Sequence, residues 1–436
     1  MMTDATANPI TTEGAPEPQT RYHGFDALRA VMMLLGVVLH TFQFYLPNPL
    51  FPGFDFRDVR TSELAGPVFF GIHAFRMQVF FVMAGFFAAL LCAKRGVRGM
   101  WSNRMKRVGL PLLVGWPILF PITMSAFVFG VAKHEGLPGW EVLRGWWSTG
   151  IIPWAEDWQP WYNLFLISPL HLWFLYALLW FYLGAVVFRF VARAGGGAIG
   201  RAWSGLFRRL ARWHLLLPTA VGMSFLTLMV PFSSGLFAQE FPLFLPNPLA
   251  LLAYAPFFGF GWMLYRNVDL LPLLGRRPGL TLVAALGVLV VDLGVLGSAF
   301  GENGQVVRKP ELAITGALVA WLCVFGFIGL FQRLFDRPSP AMRYVSDSAY
   351  WVYLAHLPLI YWMQGLMFDL PIPALAKAAI ILVVASALLF ASYDLMVRPT
   401  FLGRFLNGRT YPPARLGRRA RPEEASAALP EAPAAH

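Results

Sequence analysis

Ten apolar runs dominate this sequence, at about residues 27–46, 64–93, 108–132, 165–188, 215–232, 248–265, 280–299, 311–332, 346–366 and 372–397. Each is long enough to cross about 30 Å of hydrocarbon as a helix. Inside a bilayer every backbone N–H and C=O must be satisfied within the protein, so runs of this length predict helices. The expected fold is all-α: a polytopic integral membrane protein of about ten transmembrane helices. Charged residues make up only 13% of the chain, against roughly 25% in soluble domains.

The net charge of +12 would suit nucleic acid if it were spread over one surface. Its placement argues for membrane topology instead. Residues 94–107 and 189–214 carry six Lys/Arg each, 266–279 and 333–345 three each, and the stretch from Arg398 seven, with Arg21 before the first run. The alternate loops hold Arg57, Arg60, Lys133, Arg144, Arg308 and Lys309. By the positive-inside rule both termini are expected in the cytoplasm. Residues 1–20 lack the basic and apolar regions of a signal peptide and are expected to form a disordered cytoplasmic tail. Residues 401–436 turn basic, then Pro/Ala-rich, and are expected to be a disordered tail leaning on anionic lipid. The functional domain is then 21–400. Cys92 and Cys323 both fall in apolar runs and suit small core residues rather than a disulfide or metal pair. The loop at 133–164 carries Trp140, Trp146, Trp147, Trp154, Trp158 and Trp161, which suit an interfacial belt or a platform for stacking sugar rings.

Polar groups inside these runs need a reason. Arg29 and His40 stand eleven residues apart in the first helix, about 16 Å along its axis. Asp26 opens that helix, either as its N-cap or as an acid taking part in catalysis. Arg29 lies near enough to the helix end to snorkel, whereas His40 marks a polar cavity or a proton-handling site. His73 and Arg76, three apart, share a face of the second helix, and Arg76 lies too deep to snorkel easily. It must pair with an acid, with backbone carbonyls or with an anionic ligand. Arg104 and Arg107, also three apart, converge on one face with Lys106 beside them. They are either a positive-inside flank or a clamp for phosphate groups. His171 opens the fourth helix next to Trp173, and His356 lies midway along the ninth, just before Pro358. His23, His134, His214 and His436 fall in loops or tails. No two candidate ligands have the i, i+4 spacing of a helical zinc pair, so no metal is expected. No phosphate-binding glycine loop is present, and no repeat suggests the paired halves of a transporter. A transporter with a polar intramembrane path nonetheless stays a rival to an enzyme.

Arg29 and His40 resemble the Arg-x10-His motif of the acyltransferase-3 family of membrane acyltransferases. Arg104-Met105-Lys106-Arg107 resembles its Arg-x-x-Arg motif. More narrowly, FDALRAVMMLLGVVLH, HAFRMQVFFVMAGFF, RMKRVGLPLL, HLWFL and YLAHLPL resemble the branch that succinylates osmoregulated periplasmic glucans in bacteria. The resemblance spans about residues 21–400. It implies an enzyme of the bacterial inner membrane that takes an acyl group from cytoplasmic acyl-CoA, most simply succinyl-CoA, and delivers it to a periplasmic sugar hydroxyl. His40 would be the general base, Arg29, Arg104, Arg107 and Lys106 would contact the CoA donor, and His73, His171, Trp173 and His356 would line the acceptor side. Many members carry Asp-x-Phe-Phe-x-x-Ser-Gly where this chain has Gln78 and Ala84 in QVFFVMAG. Arg76 is expected to receive the free carboxylate of a succinyl group instead. The glucan branch carries a His-His pair where this chain has His356-Leu357, which ranks His356 below His40. Acetyl transfer to another envelope polysaccharide is the runner-up. Glucan backbone synthesis would come from other proteins.

Overall fold

A computed structural model describes residues 22–48, 56–150, 168–194, 197–229, 244–299, 307–408 and 410–411. Every regular element among them is helical: α1 (His23–Phe42), α2 (Ala65–Arg104), α3 (Leu110–His134), α4 (Gly139–Thr149), α5 (Trp173–Ala194), α6 (Ala198–Arg212), α7 (Leu216–Met229), α8 (Pro248–Arg266), α9 (Pro278–Gly297), α10 (Lys309–Leu334), α11 (Pro340–Met367), α12 (Ala374–Ser392) and α13 (Phe401–Asn407), with short 3-10 and π turns between some of them. The chain is an all-α polytopic membrane protein. A helix occurs at each of the ten expected places. Seven helical runs among the described residues are long and apolar enough to cross a membrane. One of these, Ala65–His134, contains both α2 and α3. At 14 residues α7 is shorter, and α11, the helix of His356, is not among the seven.

The segment 94–107 departs from the expected loop. Gly96, at φ 68° and ψ 178°, kinks the chain, and a second helical stretch follows it as far as Arg104, so that α2 is two helices joined at that glycine. That backbone conformation is open to glycine and costly for other residues. A π turn over Met105–Gly109 then joins α2 to α3.

The core is built from aromatic rings and close backbone approach. Phe81 stacks on Tyr254 with centroids 4.4 Å apart, and Phe257 on Trp321 at the same distance. Where α2 meets α8, a Cβ on Gly85 would overlap the carbonyl of Phe258, and one on Gly261 that of Val82. Small residues on both helices therefore let the backbones touch, as membrane helices do where no hydrophobic force drives them together.

Both ends of the described chain are tied to neighbouring residues of α11. Arg29 on α1 donates to Ser346 Oγ at 2.7 Å, and Asn407 on α13 donates to the carbonyl of Asp347 at 2.9 Å. Residues 401–407, read as the start of a disordered tail, are instead helical, with Leu406 buried. The reason is local: the Arg107 guanidinium donates to the carbonyls of Arg404 and Phe405 at 3.3 and 3.0 Å. It thereby supports the carbonyls at the helix C-terminus, one of which the Gly408 N–H also reaches. Residues 1–20 and 412–436 lie outside the described residues.

Near the opposite end Lys377 and Asp58 form a fully buried ion pair at 2.7 Å. Its remaining hydrogen-bonding capacity is met by neighbours. Lys377 also donates to the carbonyl of Phe368, and Asp58 accepts from Gln364 Nε2 and from the Arg60 backbone. Gln364 in turn accepts from Tyr45 at 2.8 Å. The network ties the connection after α1 to α11 and α12.

Candidate functional site

Helices α1, α2 and α11 and the turn before α5 bring His40, Arg76, His356 and His171 together. The His40 and His356 rings lie 5.2 Å apart between centroids, and His171 and His356 lie 5.7 Å apart and perpendicular. Arg76 reaches this cluster because α1 has no side chain at Gly36. A Cβ there would overlap Nη1 of Arg76 and come within 3.9 Å of His356 Nε2. His73, one turn before Arg76, is close enough to His40 to interact electrostatically.

Backbone carbonyls commit one nitrogen of His356 and one of His171 as donors, and the Gln43 amide oxygen faces the corresponding nitrogen of His40. His40 donates from Nδ1 to Gln43 Oε1 at 3.1 Å, and Gln43 is itself held by Tyr361. His356 donates from Nδ1 to the carbonyls of Tyr353 and Val352 at 2.8 and 3.1 Å. His171 donates from Nε2 to the carbonyl of Leu354 at 3.0 Å. That carbonyl is available because Pro358, four residues on, has no N–H to give it. The proline that disturbs α11 thus creates the anchor for His171. Tyr353 completes the bracket by donating to the His171 carbonyl at 2.6 Å. The other nitrogens, His40 Nε2, His356 Nε2 and His171 Nδ1, keep their lone pairs. The last two are buried with no hydrogen-bond partner among the described residues. Three acceptors beside a guanidinium make a site suited to binding and deprotonating a hydroxyl.

At the other end of α1, Asp26 is not the N-cap. The cap position is Tyr22, without a side-chain bond, and Asp26 lies inside the first turn, 3.6 Å from Arg29. Fourteen residues separate Asp26 from His40, about 21 Å of helix, so Asp26 does not assist His40 directly. Arg29 does more than snorkel, since it grips Ser346 across the bundle.

Arg104 and Arg107 do not converge. The π turn between them changes the angle per residue, so the i, i+3 expectation of a regular α-helix fails. Arg104 packs over the Tyr182 ring at 5.2 Å, while Arg107 caps α13. Arg104 Nε is buried without a hydrogen-bond partner among the described residues, and Lys106 is exposed. These two are the donors of the motif still open to an anion.

Trp173 is buried against Phe81 and Tyr254 in the aromatic core. Trp140 stacks on Trp362 and stays half exposed, Trp147 is exposed, and Trp146 is buried. Trp154, Trp158 and Trp161 lie outside the described residues. Among the described residues no His, Cys, Asp and Glu group could hold a metal ion. Gly36, Tyr361, Ser346 and the Asp58–Lys377 pair were not visible as parts of a site in the sequence, since each matters through a partner far along the chain, whereas Gln43, three residues from His40, could have been found from that spacing.

The family model described as an acyltransferase domain matches residues 22–393. The chain belongs to the acyltransferase-3 family. Its Arg29, His40 and Arg104–Arg107 motifs and its membrane helices therefore belong to a membrane acyltransferase, which sets the transporter reading aside. Glucans biosynthesis protein C from Salmonella agona (strain SL483) is 26% identical over 350 residues, covering 78% of this chain and 83% of that one. The proteins of the same name from Salmonella paratyphi A (strain ATCC 9150 / SARB42) and Salmonella enteritidis PT4 (strain P125109) match to the same extent. No solved structure matches the chain.

Proposed function

We propose that this acyltransferase moves a succinyl group from cytoplasmic succinyl-CoA to hydroxyls of osmoregulated periplasmic glucans, in the bacterial inner membrane, with His40 as general base. The supporting observation is the convergence of His40, His171, His356 and Arg76 in a chain similar to glucans biosynthesis proteins C. His40 is the half-buried member of the three histidines, the one an incoming hydroxyl meets first. The O–H bond breaks as the sugar oxygen bonds to the acyl carbon, and the proton passes to His40 Nε2. The thioester C–S bond then breaks, and the thiolate leaves with that proton as the free thiol. Arg76, beside the histidine cluster, would receive the distal carboxylate of the succinyl group through a charge-assisted hydrogen bond. At the other end, Arg104 and Lys106 would meet the CoA phosphates, and Arg29 the donor along its path.

Mass spectrometry of periplasmic glucans from a deletion strain complemented with wild type or His40→Ala tests this reading. Succinyl additions with wild type, lost with His40→Ala at equal expression, are expected. Acetyl additions would overturn the donor, and unmodified glucan with wild type would overturn the acceptor.

A further inference from the structure

The neutral cluster leaves His356 Nε2 buried without a donor among the described residues, a costly state for a hydrogen-bonding group. Its ring cannot relieve this by switching tautomer, because two backbone carbonyls hold the proton on Nδ1. The neighbouring ring is His40, at a centroid separation of 5.2 Å. The rings are close enough that a rotation of the His40 imidazole brings its Nε2 within hydrogen-bond reach of His356 Nε2. In the resting state both Nε2 atoms are acceptors and no such bond forms. A proton arriving on His40 Nε2 supplies the missing donor.

We infer that His356 is a positioning residue that accepts a hydrogen bond from protonated His40, so that the two imidazoles hold the hydroxyl proton jointly until it passes to the departing thiolate. This rests on the reading of His40 as base. The bond exists only after proton transfer has begun, so it lowers the barrier without tightening substrate binding. The groups facing His40 make such an acceptor necessary. Gln43 on its own chain segment occupies Nδ1, while His73 and Arg76 from α2, His171 from the turn before α5, and His356 from α11 surround the ring. Arg76 brings a positive charge, and of the three histidines His356 has its ring against His40 and its tautomer locked by two carbonyls.

Two variants separate this role from packing. His356→Phe keeps a ring against His40 and His171 but has no acceptor. His356→Gln loses the ring but retains an acceptor oxygen. Full-length protein in proteoliposomes would be assayed with succinyl-CoA or acetyl-CoA and unmodified periplasmic glucan, after thermal melts confirm that each variant folds. The expected result is a kcat loss of about 10²-fold for His356→Phe with both KM values within about twofold. His356→Gln should recover at least tenfold of that loss. Wild-type kcat in His356→Phe would overturn the inference, as would His356→Gln no faster than His356→Phe. Absence of transfer by wild type with either donor would instead overturn the underlying acyltransfer reading, and the inference with it.

Discussion

Gly36 on α1 lies directly beneath the guanidinium of Arg76 on α2, so close that a Cβ at residue 36 would displace Nη1. The obstructed atom is the tip of a flexible side chain, so the fold can tolerate a methyl group there by moving Arg76. Gly36→Ala should therefore leave the melting temperature within a few degrees of wild type and lower acyl transfer about 10²-fold through misplacement of one group. Undiminished turnover in a well-folded Gly36→Ala protein would remove Arg76 from the reaction.

Arg76 also sets a specificity prediction. If its guanidinium holds the free carboxylate of the donor, Arg76→Gln should lose about 10- to 100-fold in succinyl transfer, the worth of a charge-assisted bond. Acetyl transfer should change far less. Parallel rate measurements with the two CoA esters decide the matter, and equal losses would exclude the carboxylate role.

The Lys377–Asp58 pair is buried on both sides. Lys377→Met leaves a carboxylate in the interior with only Gln364 and a backbone N–H, and should destabilise the protein by about 3–5 kcal/mol. Adding Asp58→Asn removes the stranded charge and should restore most of the loss. Thermal unfolding in detergent provides the comparison; a double variant no more stable than Lys377→Met would mean that charge burial is not the cause.

The split of the Arg-x-x-Arg motif yields a pair of opposite outcomes. Arg107→Ala should release α13, visible as faster protease cleavage between Arg398 and Tyr411, because its guanidinium donates to two carbonyls of that helix. Arg104→Ala should leave cleavage unchanged and raise KM for the CoA donor about tenfold, as expected for loss of one charged contact. A KM effect confined to Arg107→Ala would reverse these roles.

Helix positions were legible because the signal is local: an apolar run long enough to cross a bilayer can bury its backbone polar groups only by coiling. The same locality exposed His40, Arg76 and His356 as polar groups in apolar surroundings. It misjudged Asp26, since a cap depends on the dihedral angles of the preceding residue, and Tyr22 takes the cap position. It also misjudged the Arg104–Arg107 face, since a π turn is invisible to i, i+3 counting.

The chain's own residues thus determine that it is helical, that it enters a membrane, and which few polar side chains the membrane interior must accommodate. Which of them meet depends on how helices cross. His40 and His356 are 316 positions apart in the chain and touch because α1 packs on α11. His171 joins them through a carbonyl that Pro358 leaves free. Arg76 enters where Gly36 makes room. The periodicity of one helix says which residues share a face, and nothing in it says which other face will lie opposite.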